Sequence, residues 1–254
     1  MKRCISLLEK NQNILIRKLR KITKKTAELI EIRLDHLKNP DLAEILKNAK
    51  LPVIISTRNE RNWEKYLEAA ALNVAYIDVD ISLPEKFFLQ ELLKNNEMRG
   101  SKELSTELYE AVQRGGSDEV DNAVHIFQKF LKNKKTKLII SYHNYKKTPS
   151  ETDLKNILRK MLDRGADIPK IATQIKTEND NIRLLNLLAK EMKKTKLIVH
   201  GMGEKGKTSR ILAALLGSEI SYLAISQKNK TAKGQWTLRE WNEIVGGISD
   251  MSLL

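Results

Sequence analysis

What most constrains this chain is one repeated alternation along its whole length. A short, apolar, often β-branched run is followed by a longer amphipathic stretch, and the pair then recurs. Eight such runs stand out, at residues 3–8, 29–34, 53–56, 76–81, 138–142, 170–173, 197–200 and 222–226. Helical periodicity fills much of the space between them, clearest over 62–72, 150–164 and 178–193. One helix start is marked by Thr148, Pro149, Ser150 and Glu151 ahead of Leu154, which puts a hydroxyl cap and an acid at the positive end of the helix dipole. Eight strands, each followed by a helix, in roughly 250 residues is the pattern of a single-domain α/β (β/α)8 TIM barrel. A doubly wound open sheet is the structural alternative, because periodicity does not distinguish a closed sheet from an open one. Only the stretch at about 83–136, between the fourth and fifth strands, is too long for one βα unit, and it reads as an inserted helical segment.

Composition narrows the class. The 254 residues are 41% hydrophobic and 31% charged, a balance that supports a folded globular core. No apolar run reaches the length of a membrane span, and the first residues lack the apolar centre of a secretion signal. The lone cysteine, Cys4, excludes an internal disulfide, fits a cytoplasmic location, and sits in an apolar run as a small core residue would. The net charge of +14 raises nucleic-acid binding. The basic runs, however, lack interleaved aromatics and any nucleic-acid motif, so they read as the lysine-rich surface of an ordinary enzyme, with attraction of an anionic metabolite as a secondary effect.

Chemistry is expected where polar side chains gather at strand ends. Glu31, Arg33 and Asp35 alternate along the second strand and so share a face. Arg58 follows the third strand, Asp78 and Asp80 alternate in the fourth, His143 follows the fifth, and Lys170 opens the sixth. A lysine taken into an apolar barrel loses solvation, which favours the neutral amine that attacks a ketone. A histidine from a neighbouring strand end would then move protons near neutral pH. His36, His125 and His200 show no ligand spacing, and with one cysteine a metal site is not expected.

Gly201-Met202-Gly203-Glu204-Lys205-Gly206-Lys207-Thr208 fits G-x-x-x-x-G-K-[ST], the pattern of a phosphate-binding loop. Only one strand follows it, and that strand does not end in the acid such a site needs for magnesium. Nucleotide binding at Gly201–Thr208 is therefore the second reading.

Taken together, five segments resemble the type I 3-dehydroquinate dehydratases, from Cys4 to about Ile244, with the stretch near 83–136 as the main unmatched part. Glu31-Ile32-Arg33-Leu34-Asp35 resembles an early E-x-R-x-D element. Ser141-Tyr142-His143-Asn144-Tyr145 with Thr148-Pro149 resembles the histidine signature, and Gly165-Ala166-Asp167-Ile168-Pro169-Lys170-Ile171-Ala172 the lysine segment. Gly201-Met202-Gly203 with Ser209-Arg210 resembles M-G…S-R, and Gly234-Gln235 a closing G-Q. The resemblance implies a cytoplasmic homodimeric lyase of the shikimate pathway that needs no cofactor or metal. It converts 3-dehydroquinate to 3-dehydroshikimate through a Schiff base on Lys170, with His143 as acid and base. By the same resemblance Arg210 pairs with the substrate carboxylate, while Glu31, Arg33, Arg58 and Gln235 hold ring hydroxyls, and Thr231 stands where serine is usual. Two departures are visible. Asn62 holds the position of a glutamate that orients the histidine in the family; Glu60 or Glu64 could substitute for it, though neither has its spacing. Lys233 replaces the proline usual before the closing glycine.

Overall fold

The computed structural model describes residues 1–58, 65–82 and 135–251. Eight strands follow in order: β1 (Lys2–Leu8), β2 (Leu29–Arg33), β3 (Val53–Ser56), β4 (Tyr76–Asp80), β5 (Lys137–Asn144), β6 (Ile168–Gln174), β7 (Ile198–Met202) and β8 (Ile220–Leu223). The helices between and after them are α1 (Gln12–Leu19), α2 (Leu42–Lys47), α3 (Lys65–Ala71), α4 (Glu151–Asp163), α5 (Glu178–Glu191), α6 (Lys207–Leu216) and α7 (Leu238–Met251). Ser150 caps α4 as expected, its side chain accepting from the amide of Asp153. The insertion expected at 83–136 lies outside the described residues, except for Lys135 and Thr136.

All the strands pair in parallel, in the order β7-β6-β5-β4-β3-β2-β1-β8. The pairing of β1 with β8, with Lys2 opposite Ile220, decides between the two expected architectures. An open doubly wound sheet does not join its first strand to its last, whereas a barrel must. The remaining seam, between β7 and β8, is crossed at its base, where the Glu219 amide donates to the Leu197 carbonyl at 3.0 Å and the Val199 amide to Ser218 Oγ at 3.2 Å. The chain is thus a nearly closed (β/α)8 barrel.

Alternation along each strand divides the core in two. Residues of one parity, such as Ile5, Ile30, Ile55 and Ile77, pack outward with Leu15, Leu42, Leu184 and other helix residues. The other parity fills the barrel floor: Cys4, Leu29, Ile54, Tyr76, Ile139, Ile168, Ile198 and Ile220, with Tyr222 above them, form one cluster to which no helix among the described residues contributes. Two residues further along every strand the character changes. Ser6, Glu31, Ser56, Asp78, Ser141, Lys170, His200 and Tyr222 are all polar or titratable, and all are buried. An apolar floor beneath a buried polar layer is what positions the site.

Several strand boundaries differ from the sequence reading. Lys170 is the third residue of β6 and not its first, because Pro169 is accommodated near the strand's start, opposite Ile140. His143 lies within β5, and β7 runs past His200 to Met202. The eighth strand begins at Ile220, three residues after left-handed Gly217 ends α6, and is over by Leu223, beyond which Ala224 bridges to Thr237.

Candidate active site

Lys170 sits at the centre of the polar layer, 3% exposed. Its Nζ donates to Asp78 Oδ2 at 2.7 Å, lies 3.9 Å from Glu31 Oε1, and stands 4.1 Å from the centroid of the Tyr222 ring. Glu31 accepts from the Ser6 and Ser56 hydroxyls, so its orientation is set by β1 and β3. The surroundings of Lys170 are therefore not the apolar barrel the sequence suggested. The apolar cluster is the floor below, and at the level of the lysine the neighbouring strands place two carboxylates. Burial alone would raise the Asp78 carboxyl, but Lys170, Arg58 and His143 together hold it well below the usual carboxylate range. Cys4, in the floor, is fully buried; desolvation pushes its thiol well up and leaves it unreactive.

One turn of the pleat higher, His143 is held at both ring nitrogens. Nδ1 lies 2.9 Å from Asp80 Oδ2, and Nε2 lies 3.1 Å from Arg58 Nη2. A guanidinium can only donate, so Nε2 is the acceptor and Nδ1 carries the proton that Asp80 receives as a hydrogen bond. Burial and the Arg58 charge push the imidazole down to about 4, against the opposing pull of Asp80. The ring is thus neutral at pH 7, with its lone pair at Nε2, and it stacks on Tyr145 at 6.1 Å. Arg58 is itself placed by its backbone amide, which donates to Asp35 Oδ1 at 2.9 Å, while Asp35 also takes the fork of Arg33 at 2.7 and 2.9 Å.

The opposite wall is built by the glycine-rich turn after β7. Arg210, near the start of α6, is buried and donates from Nε to the Gly201 carbonyl at 2.8 Å. Among the described residues no carboxylate pairs with it, and burial lowers its guanidinium to about 10. A buried cation without an anion is a receptor for one. The turn packs against itself: a Cβ on Gly206 would meet the Gly201 carbonyl carbon at 2.5 Å, and Ser209 Oγ accepts from the Gly201 amide at 3.1 Å. Lys207 is engaged by Glu204 at 3.0 Å and by the Trp236 ring at 5.2 Å. These contacts correct the phosphate-loop reading. The glycine spacing serves backbone approach within the turn and carries Arg210 to the pocket.

A cavity of about 260 Å³ joins these groups, and Glu31, Arg33, Arg58, His143, Lys170, Arg210, Thr231 and Gln235 all line it. Thr231 and Gln235 arrive on the loop after β8, where Gln235 Oε1 accepts from the Thr231 amide at 2.8 Å and Thr231 Oγ1 donates to Ser6 Oγ at 3.2 Å. That loop is fastened to the glycine turn by the Gly203 amide donating to the Lys233 carbonyl at 3.2 Å. Gly234 there, at φ +78°, lies so close that a Cβ would meet the Gly203 oxygen at 2.0 Å. Among the described residues no group of three or more histidine, cysteine or carboxylate side chains is placed to hold a metal ion.

The sequence reading overlooked His200 and Tyr222 as pocket residues, and it noted Asp78 and Asp80 without placing them in the site. Parity would have found three of them: Asp78, His200 and Tyr222 each lie two residues beyond a floor residue, as Lys170 does. His200 tilts against Tyr222 at 5.8 Å, and burial with the nearby Arg210 charge keeps it neutral.

Comparison with known proteins shows what the chain as a whole is similar to. The profile of the type I 3-dehydroquinase family matches residues 3–250. The 3-dehydroquinate dehydratase of Dehalococcoides mccartyi is 32% identical over 212 residues, covering 82% of this chain and 91% of that protein. That of Methanocaldococcus jannaschii is 30% identical over 229 residues, covering 86% of each. In fold, the crystal structure of type I 3-dehydroquinate dehydratase from Clostridium difficile superposes with a TM-score of 0.72 at 22% identity, over 98% of this chain and 92% of that one. On a family profile that spans nearly its whole length, the chain belongs to the type I 3-dehydroquinase family.

Proposed function

We propose that this protein is a hydro-lyase that converts 3-dehydroquinate to 3-dehydroshikimate and water in the shikimate pathway, through an imine on Lys170. The observation that carries the reading is one cavity lined by a buried lysine, a neutral histidine and an arginine that no carboxylate among the described residues pairs with. Substrate binding would begin with the ring carboxylate pairing with Arg210, whose fork matches it in two hydrogen bonds. Glu31, Arg33, Arg58, Thr231 and Gln235 would hold the hydroxyls and the ring orientation.

Lys170 Nζ must first give up a proton, which passes by way of Asp78 Oδ2 at 2.7 Å to the carbinolamine hydroxyl that leaves as water, so Asp78 ends ionised again. The free amine adds to the ring ketone, and loss of water forms a protonated imine. That imine draws electrons from the neighbouring carbon and acidifies its C–H bond. His143 Nε2 takes this proton once Arg58 turns from it to the substrate. The electron pair forms an enamine, and the imidazolium then protonates the departing β-hydroxyl, which leaves as water. Hydrolysis of the conjugated imine releases the enone and restores Lys170. Asp78 and Glu31 offset the positive charge on the imine nitrogen throughout.

The test is borohydride reduction in the presence of 3-dehydroquinate, with mass spectrometry expected to find the adduct on Lys170. Absence of both adduct and dehydration would overturn the assignment, as would full activity in Lys170→Ala. Residues 1–254 acting as one catalytic domain, in a cytoplasmic homodimer, complete the reading; sedimentation of the purified chain checks the last point.

A further inference from the structure

In the family resemblance a glutamate orients the catalytic histidine, and here its position holds Asn62. Yet His143 does not lack a carboxylate. Asp80 Oδ2 lies 2.9 Å from Nδ1, and the other oxygen, Oδ1, is saturated by the Ser82 amide at 3.0 Å and the Ser82 hydroxyl at 2.6 Å. The strand end that carries Asp80 is pinned on both sides. The Ile81 amide donates to the Ser141 carbonyl at 2.7 Å, and the Ile81 carbonyl accepts from Arg164 Nη1 at 2.7 Å. A carboxylate with one oxygen fixed by its own turn and the other aimed at a ring nitrogen has little freedom left. That is the condition for a group that selects a tautomer rather than merely neutralising charge.

We propose that Asp80 is the positioning residue of His143: it holds the proton on Nδ1 and so keeps the lone pair on Nε2, facing the cavity. Among the described residues, the carboxylate at the ring thus comes from the end of β4. The inference rests on the reading of His143 as acid and base. Arg58 at Nε2 independently requires the same tautomer, because it can only donate. Among the described residues, the charged and titratable groups facing the ring are Arg58 from the end of β3, Asp78 and Asp80 from β4, Tyr145 just after β5, Lys170 from β6 and His200 from β7. Of the pairings among these, Asp80 is the carboxylate within hydrogen-bonding distance of the ring.

The experiment is Asp80→Asn, with Asp80→Glu as the conservative variant. It reads steady-state rates across pH, borohydride trapping on Lys170, and the tautomer of His143 by nitrogen NMR. In Asp80→Asn, kcat is expected to fall about tenfold to 100-fold, a part of the 10²–10⁴ that general acid–base catalysis supplies. KM and trapping should stay near wild type. The acid limb of kcat/KM should move to lower pH, because the carboxylate that favours the imidazolium is gone, and Asp80→Glu should restore part of both effects. The NMR, recorded on the trapped adduct where Arg58 has turned to the substrate, should show Nδ1–H in the wild type and a shift towards Nε2–H in Asp80→Asn. Loss of kcat with the limb and tautomer unmoved would overturn the proposal, reducing Asp80 to a support for the strand end; so would rates within about threefold of wild type. If Asp80→Asn does not fold, Asp80→Glu, which displaces the carboxylate on a longer stem, carries the same readouts. A wild type that neither traps nor turns over would instead sink the enzymatic reading, and with it this proposal.

Discussion

Replacing Arg210 with methionine separates binding from stability, because this structure sets the two in opposition. Arg210 is a buried guanidinium with a carbonyl partner, Gly201, and no carboxylate among the described residues. Burial lowers it from 12.5 to about 10, and at 1.36 kcal/mol per unit the folded state bears about 3 kcal/mol for holding that charge. Arg210→Met removes this cost and refills most of the volume, but it also loses the hydrogen bond to Gly201, worth about 1.5–3 kcal/mol for a charged donor. The variant is therefore expected to be as stable as wild type or up to about 2 kcal/mol more stable, unlike most substitutions at buried polar positions. Catalysis should move the other way. Losing a desolvated pairing with the substrate carboxylate costs about 2–5 kcal/mol, or about 30-fold to several thousand-fold in kcat/KM. Urea unfolding at pH 7, in buffer free of multivalent anions that would bind the site, measures the first quantity. Growth of the conjugated enone absorbance measures the second. A variant destabilised by more than about 2 kcal/mol would show that Arg210 supports the fold, and the argument from an unpaired buried charge would fail. A kcat/KM within threefold of wild type would remove the carboxylate from this site.

Three further outcomes follow from the same geometry. Lys170→Ala leaves Asp78 buried without its 2.7 Å partner, so a loss of about 3–5 kcal/mol is expected on unfolding, besides the lost activity. Lys170→Ala combined with Asp78→Asn should recover much of that stability and none of the activity; no recovery would refute the ion-pair account. His143 sits near 4 when folded and near 6.5 when unfolded, so the unfolded chain takes up its proton first on acidification. Its contribution to stability is complete above about pH 6.5 and is lost as pH falls towards about 4. The acid limb of kcat/KM, which reports the free enzyme, should likewise fall well below the 6.5 of a free imidazole, and a limb at or above 6.5 would contradict the burial argument. Gly234→Ala places a Cβ 2.0 Å from the Gly203 oxygen at a positive φ, so a destabilisation of about 1–3 kcal/mol and an increased KM are expected. Unchanged values for both would mean that the closing loop is not fastened to the glycine turn as described.

How far the site was legible depended on the kind of signal each residue leaves. Arg210 and the glycines before it were visible as a motif. That the glycines serve backbone contact rather than phosphate binding became clear only when Gly206 was seen against Gly201. His200 carried no motif and was passed over, although its place two residues beyond Ile198 marks it as a barrel-facing side chain. Asp80 was visible as one of two alternating acids, but nothing in its spacing pointed to His143.

The sequence by itself determined the eight strands and which side chains face inward, because β periodicity and apolar patterning are local properties read within a few residues. It also contained every residue of the cavity. Closure was decided by the tertiary structure, since β1 must meet β8 from the far end of the chain. So were the partners of the reactive groups: Lys170 and Asp78 are 92 residues apart, and His143 and Asp80 are 63. A charge or a lone pair is tuned by what lies within a few ångströms, and at such separations only the folded barrel specifies those neighbours.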